Sequence, residues 1–544
     1  MRNAMLKQAF GAGVCALIAA ASVTARAQDA TTRLAADCAS FKGFTIPASA
    51  IGLPTGGATV ETAVAVTASE PRNVNGNFCK VTGIIRNATA STAVFEFEVN
   101  LPDAWNGRAL QMGGGGYDGS LVNALGPYTL QLPGEDTPLK RGYVTLGSNG
   151  GHRGGPGFDG TFGLDDEALL NYGKQSVKKA HDVAMAIIRK AYGRAPQRFY
   201  FIGGSQGGHE ALDAAARYPD DYDGVVADFP AYNVTMLHLG SWNVGRALYA
   251  ANGAGWMDAV HVKLITDAVM AKCDALDGAK DGIISNVAGC NAVFSVKTLR
   301  CAKGTTGDNC LSDAQLKAVA TITADYKPGV SIAGMDTFPK WALLEGAQFA
   351  GPSNFGKVSQ PSNPLSGMEP LLYSAGDATI KYIITRDPKF DTLRFDPKQY
   401  KARIATVAAI MDVTDQSLER FRAKGGKIIM THGTADDFIT PHNSIAYYKR
   451  QLAQFGRKRL DSFLRFYLIP GFGHGFGTFN AKFDALPALE QWVESGKAPA
   501  GLIAADGNPN ANRTRPLCEY PKYPRFTGAA GTESSAASFA CAEK

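Results

Sequence analysis

Residues 198–208 run a short apolar strand, Arg198-Phe199-Tyr200-Phe201-Ile202, straight into the turn Gly203-Gly204-Ser205-Gln206-Gly207-Gly208. The run His209-Glu210-Ala211-Leu212-Asp213-Ala214-Ala215-Ala216-Arg217 follows at once and is compatible with a helix. A strand that ends in G-x-S-x-G and restarts as a helix must turn sharply. The flanking glycines permit that turn, and the serine hydroxyl then stands out at the helix N-terminus. The pattern alone is weak in a chain with 61 glycines; the apolar strand before it and the helical run after it are what give it weight. Ser205 is therefore the candidate nucleophile, in the place where an α/β-hydrolase fold carries one.

The surrounding sequence supports that fold class. Phe95, Phe97 and Val99 alternate with Glu96 and Glu98, the period-2 pattern of a strand with one wet face. Further strands are expected at 107–111, 142–146, 198–202, 224–227, 427–430 and 463–469, with a long helix over 165–192. Strand-helix-strand alternation implies a mostly parallel sheet. From Pro230 to about Lys424 the alternation stops, and Gly/Pro/Ser-rich stretches and short helices replace it. The expected organisation is an α/β-hydrolase catalytic domain over 28–229 and 425–544, with residues 230–424 inserted as a lid domain.

The first 27 residues read as an export signal: Arg2 and Lys7, an apolar stretch from Ala9 to Ala21, and the cleavage pattern Ala25-Arg26-Ala27. That stretch is shorter than the roughly 18 apolar residues of a membrane span. Removing Arg2, Lys7 and Arg26 takes the formal charge from +6 to +3, too small a surplus to imply a nucleic-acid or membrane partner. The protein is therefore expected to be secreted or periplasmic. Eight cysteines then remain: Cys38, Cys79, Cys273, Cys290, Cys301, Cys310, Cys518 and Cys541. An even count in an exported chain implies disulfides, but counting leaves their connectivity open. Pairing of nearest neighbours would staple loops rather than join distant elements.

A serine attacks an acyl carbon only with a base to take its proton and an acid to orient the base. In this fold the acid and then the histidine follow the serine along the chain. Of eight histidines, His474 alone lies beyond the last expected strand, in Pro470-Gly471-Phe472-Gly473-His474-Gly475. The acid belongs after the strand ending at Met430, where Asp436 and Asp437 are the candidates. The oxyanion needs backbone donors, for which the amide of Gln206 and that of Gly116, in the loop Gly113–Gly119, are the choices. No Walker lysine follows that glycine run, so it is not read as a phosphate cradle.

Taken together, Gly113–Gly119, Tyr200–Gly208, Tyr222–Ala227, Cys273–Cys290, His432–Asp436, Gly471–His474 and Arg513–Cys518 resemble the tannase and feruloyl esterase family. That family also includes mono-hydroxyethyl terephthalate hydrolase. The resemblance spans essentially the whole mature chain. It implies an exported serine carboxylic-ester hydrolase with Ser205, Asp436 and His474 as the triad, favouring Asp436 over Asp437, and with Gly116 and Gln206 as oxyanion donors. It also implies a calcium ion in the lid, held by the side chains of Asp274, Asp277 and Asp281 and the carbonyls of Ala279 and Ile283. From the residues alone this loop reads equally as a solvated acidic turn. The chain departs from the family at Gly204 and Gly475, where many members carry a cysteine pair tying the two catalytic loops.

The substrates so implied are esters of aromatic, phenolic acids. Esters derived from polyesters, such as mono-hydroxyethyl terephthalate, are the alternative, and a non-catalytic binding protein on the same scaffold is a third. Trp242, Trp256, Trp341, Tyr382 and Phe390 are either ring-stacking residues or core, and Arg386 and Arg394 either meet an acid group or form surface ion pairs.

Overall fold

The computed structural model describes residues 37–155, 157–349, 355–413 and 417–543. The export signal expected at residues 1–27 lies outside the described residues. Ten strands form the central sheet: β1 (Thr45–Ile46), β2 (Ala58–Val66), β3 (Phe78–Ile85), β4 (Phe95–Pro102), β5 (Arg108–Met112), β6 (Val144–Ser148), β7 (Arg198–Gly204), β8 (Gly224–Asp228), β9 (Lys427–Gly433) and β10 (Leu464–Ile469). Their order is β1-β2-β3-β4-β6-β5-β7-β8-β9-β10. The pairs from β1 to β4 and the β4/β6 pair are antiparallel, whereas β6, β5, β7, β8, β9 and β10 run parallel. The sequence reading had the strands from β4 onward and lacked β1 to β3.

The parallel strands are apolar on both faces because helices cover both. Phe199, Phe201, Val225 and Ile428 pack with the helices Ser176–Tyr192, Gln206–Arg217 and Pro441–Phe455. Their neighbours Tyr200, Ile202, Val226 and Ile429 pack on the opposite face against Ala485–Ser495. The expected wet face of β4 is not wet at Glu98, which is 5% exposed, and burial raises its carboxyl pKa to about 7. Glu96, on the same face, stays partly exposed and pairs with Arg153 at 2.6 Å. The helix expected over 165–192 is a continuous helical run with one wide, π-type turn at Asn171–Gln175. Asp165 caps its start by accepting the Glu167 and Ala168 amides, and Gly193, at φ 69°, ends it.

Between β8 and β9 the chain leaves the sheet for residues 229–426 and adds no strand to it among the described residues. This segment has its own core, including Trp242, Val262, Ile265, Val319, Phe338, Trp341, Leu372 and Ile404. That core continues into Tyr117, Phe162, Leu169 and Tyr172, so the insertion is packed onto the loop after β5 and the helical run that follows β6. Trp242 is fully buried, with its indole N–H donated to the Thr392 carbonyl, and Trp341 is 3% exposed; both are core residues. Trp256 gives its indole N–H to the Phe355 carbonyl, and Tyr382 and Phe390 pack at the margin of the same core. Arg394 pairs with Asp391 at 3.2 Å on the surface, and Arg386 pairs with Asp166.

Four disulfides join nearest neighbours: Cys38–Cys79, Cys273–Cys290, Cys301–Cys310 and Cys518–Cys541. The last ties Cys518 to the second strand of a two-stranded ribbon, Tyr523–Phe526 against Phe539–Ala542, at the end of a Gly/Ser/Ala-rich tail.

Candidate active site

Ser205 occupies the tip between β7 and the helix Gln206–Arg217 with φ 60° and ψ −119°, a backbone region that costs an L-residue energy and that the surroundings must enforce. They do so by close approach. A Cβ at Gly203 would lie 2.6 Å from the Gly207 carbonyl group, and one at Gly208 would lie 2.5 Å from the Asp228 carbonyl oxygen. The Ser205 N–H donates to that same Asp228 oxygen at 3.0 Å, and the Ser205 carbonyl accepts from His209 at 3.0 Å. The turn is thus pinned between the end of β8 and the first turn of its own helix.

His474 reaches the serine from the loop after β10. Its Nε2 lies 3.0 Å from Ser205 Oγ, and its Nδ1 lies 3.0 Å from Asp436 Oδ2. Asp436 is fully buried in the loop after β9, where its Oδ1 accepts the Phe438 and Ile439 amides at 2.8 Å each. The same carboxylate lies 3.3 Å from Nε2 of His432. Burial pushes the Asp436 carboxyl up, but the charges and hydrogen bonds of His474 and His432 outweigh it and hold the group well below the usual carboxylate range. Burial likewise pulls the His474 imidazolium down; the attraction and hydrogen bond of Asp436, helped by Asp437, win and raise it above 6.5. A base bridged between a hydroxyl and a carboxylate in this way takes the serine proton and is stabilised when it holds it.

Across the serine, the Gln206 amide opens the helix Gln206–Arg217, so the helix dipole favours negative charge there. Gly116 sits in the loop after β5 at φ 59°, with its carbonyl held by the Tyr172 hydroxyl at 3.2 Å. Among the described residues neither amide donates to a protein acceptor. Three side chains missed by the sequence reading support this loop. Glu210, buried, accepts the Gly114 amide at 3.0 Å, and the half-buried Asp118 lies against it. Burial and then the Glu210 charge push the Asp118 carboxyl well above its ordinary value, and burial raises that of Glu210 to about 7, so the pair gives up its protons less readily than free carboxyls do. Tyr117 carries the loop into the insertion through His238 Nδ1 at 3.0 Å and the Thr379 hydroxyl. The insertion also touches the acid loop, where the Gln348 amide donates to the Ala435 carbonyl at 3.2 Å.

Aromatic rings surround the imidazole: Phe229 at 4.8 Å and Phe438 at 5.2 Å between ring centroids, with Phe158 packed on Phe438 at 5.3 Å. No motif pointed to Phe229 or Phe158, because only the tertiary fold brings them here.

The acidic loop lies at the base of the insertion, clipped by Cys273–Cys290. Asp274 accepts the Asp281 and Gly282 amides at 3.2 and 3.0 Å, and Asp277 accepts those of Ala279 and Ser285 at 3.0 and 3.1 Å. Asp281 accepts the Ile283 amide at 3.1 Å and pairs with Arg515, whereas Asp274 and Asp277 pair with no lysine or arginine among the described residues. Burial raises the carboxyl pKa of both, and the Asp281 charge adds to it. The trio of side chains with ligand atoms within 4.8 Å of one another lies elsewhere, at His181, Asp182 and Asp221, where Lys178 already bridges both carboxylates.

A parallel sheet carrying a strained serine after β7, an acid after β9 and a histidine after β10 defines a serine hydrolase of the α/β-hydrolase fold. Residues 79–542 match the family model described as tannase and feruloyl esterase, and the chain belongs to that family as a carboxylic-ester hydrolase. It is 36% identical over 521 residues to an uncharacterized esterase of Agrobacterium fabrum, covering 93% of each chain. It is 32% identical to mono(2-hydroxyethyl) terephthalate hydrolase of Piscinibacter sakaiensis, covering 85% of this chain and 84% of that one. The crystal structure of feruloyl esterase B from Aspergillus oryzae superposes with a TM-score of 0.75 at 24% identity, covering 94% of this chain and 100% of that one, and shares the fold. Among the described residues no helix is long and apolar enough to cross a membrane.

Proposed function

We propose that the protein is an exported esterase that cleaves esters of aromatic acids through an acyl-enzyme on Ser205. One observation carries this reading: the His474 imidazole bridges Ser205 Oγ and Asp436 Oδ2 at 3.0 Å on each side. His474 Nε2 takes the hydroxyl proton as Oγ attacks the ester carbonyl carbon, and the oxyanion forms against the Gly116 and Gln206 amides. The C–O bond to the alcohol breaks as His474 returns the proton to the leaving oxygen. Water, deprotonated by His474, then attacks the acyl-enzyme and frees the acid and Ser205. The Phe438 ring beside the imidazole, with Phe158 packed on it, suits a planar acyl group, as do relatives named for terephthalate monoester hydrolysis and, in Aspergillus terreus at 29% identity, as a probable feruloyl esterase.

Turnover of methyl ferulate, methyl gallate, mono-hydroxyethyl terephthalate and short aliphatic esters, compared on wild type and Ser205→Ala, tests the reading. Aromatic esters are expected to lead, with a loss of about 10⁴-fold or more in the variant. Preference for the aliphatic esters, or an unaffected variant, would overturn it.

The acidic loop is proposed to hold a structural calcium ion through Asp274, Asp277, Asp281 and the carbonyls of Ala279 and Ile283. The donor set is all hard oxygen, and two of its carboxylates, the buried Asp277 and the half-buried Asp274, lack a cationic side chain among the described residues. Bound there, the ion would offset the repulsion that Asp281 imposes on its two neighbours. Export is supported by the four disulfides.

A further inference from the structure

We propose that Phe229 is a positioning residue of the ester-cleaving site: its ring, seated on the bare backbone of Gly204, holds the His474 loop against the nucleophile turn. The positions before Ser205 and after His474 are both glycine, so no covalent tie or side-chain contact from either can register one loop on the other. The two loops must nonetheless place Nε2 within 3.0 Å of Oγ.

Phe229 follows β8 directly. Its N–H donates to the Thr431 carbonyl in β9 at 2.7 Å, which fixes its backbone between the two strands. Its φ is +34°, outside the regions that side-chain-bearing residues adopt without cost, so a glycine would be the comfortable occupant. A bulky side chain is held there instead, 3% exposed. The ring reaches three elements of the site at once. A Cβ on Gly204 would fall 2.7 Å from Cζ and 2.9 Å from Cε2 of the ring, so the seat exists only because position 204 has no side chain. The centroid lies 4.8 Å from the His474 ring and 6.0 Å from that of Phe472, two residues upstream in the same loop. It lies 6.5 Å from His432, the second histidine beside Asp436.

The loop is tied on its far side to the acid loop, through the Ala435 amide to the Phe472 carbonyl at 3.0 Å and through Asp436, and to Asn508, whose side-chain amide donates to the Gly477 carbonyl at 2.9 Å; these bonds do not reach the turn that carries Ser205. Gly475 has φ +85° and open space where a Cβ would stand, and the loop closes on itself through the Gly473 amide to the Phe476 carbonyl at 2.6 Å. The Phe229 ring therefore does by packing what a cross-link between the two loops would do by bonding. Misplacing a reacting group by about 1 Å costs on the order of 10²-fold in rate, so loss of this ring reads out in kcat.

The proposal rests on the reading of Ser205 and His474 as nucleophile and base, and the test separates the two. Phe229→Ala, Phe229→Gly, Gly204→Ala and the double variant Gly204→Ala/Phe229→Ala are compared with wild type on an aryl ester. Each single variant is expected to lose about 10- to 100-fold in kcat with KM within about threefold. The double variant should be no worse than Phe229→Ala, because the new Cβ takes space that the ring has left. Phe229→Gly relieves the backbone, so its thermal midpoint should not fall below that of Phe229→Ala, which keeps the comparison on folded protein. A folded Phe229→Gly enzyme within about twofold of wild-type kcat, or losses that multiply in the double variant, would overturn the role of Phe229 alone. A wild type inert toward every ester would overturn the underlying site reading, and this proposal with it.

Discussion

Nδ1 of His474 lies 3.0 Å from Oδ2 of Asp436 across 38 residues of chain, while the charge of the adjacent Asp437 adds to the attraction on the imidazolium. Asp436→Asn removes the acceptor that sets the histidine's tautomer, and kcat is expected to fall by about 10³- to 10⁴-fold. Asp437→Asn should leave kcat within about tenfold and move the acid limb of the rate profile to lower pH. Equal losses in the two variants, measured by steady-state kinetics, would reverse the assignment.

His474 must be neutral to accept the serine proton, and its imidazolium is stabilised by Asp436 so that its pKa stands above 6.5. Rate therefore rises with pH through a value above 6.5, and kcat/KM recorded from pH 5 to 9 should show its acid limb there. The stability linkage has the opposite sense. The ion pair's contribution through His474 is present below the unfolded-state value and lost as pH rises through the folded one.

Asp118 and Glu210 lie together behind the glycine loop, and burial together with the Glu210 charge holds the Asp118 carboxyl well above its ordinary value. Its contribution is complete below the unfolded value and is lost as pH rises toward the folded one. Asp118→Asn keeps a donor to Glu210 without an ionisable proton. The thermal midpoint of wild type should fall more steeply than that of Asp118→Asn between pH 5 and pH 9; parallel curves would count against a raised Asp118 carboxyl.

Chelation of calcium is expected to lower the thermal midpoint of the purified protein, and added calcium to restore it, because a ligand of the native state alone stabilises by mass action. The Asp277→Asn variant should show little response to either treatment. A midpoint in wild type that is indifferent to chelator and calcium counts against the site.

Much of the molecule was legible in its residues. The turn around Ser205 is a local backbone requirement, so its glycines announce it wherever the chain goes afterwards. The parallel strands are continuous apolar runs because helices cover both faces, and that too is a short-range signal. β1 to β3 lack such a run: β1 is two residues long, β2 has seven of nine residues at least partly exposed, and β3 alternates buried with half-buried residues around Gly83. Glu98 misled for a related reason, since period-2 alternation marks the face of a strand but not what lies over that face.

The residue types at 205, 436 and 474, their order along the chain, and the even set of eight cysteines were written in the sequence, because chemistry and connectivity are properties of residues. Which of two adjacent aspartates meets the imidazole, the reach of His474 to Ser205 and the seating of Phe229 on Gly204 were settled only when the sheet brought the ends of β7, β8, β9 and β10 side by side. Ser205 and His474 are 269 positions apart, and no local propensity encodes a distance across that much chain.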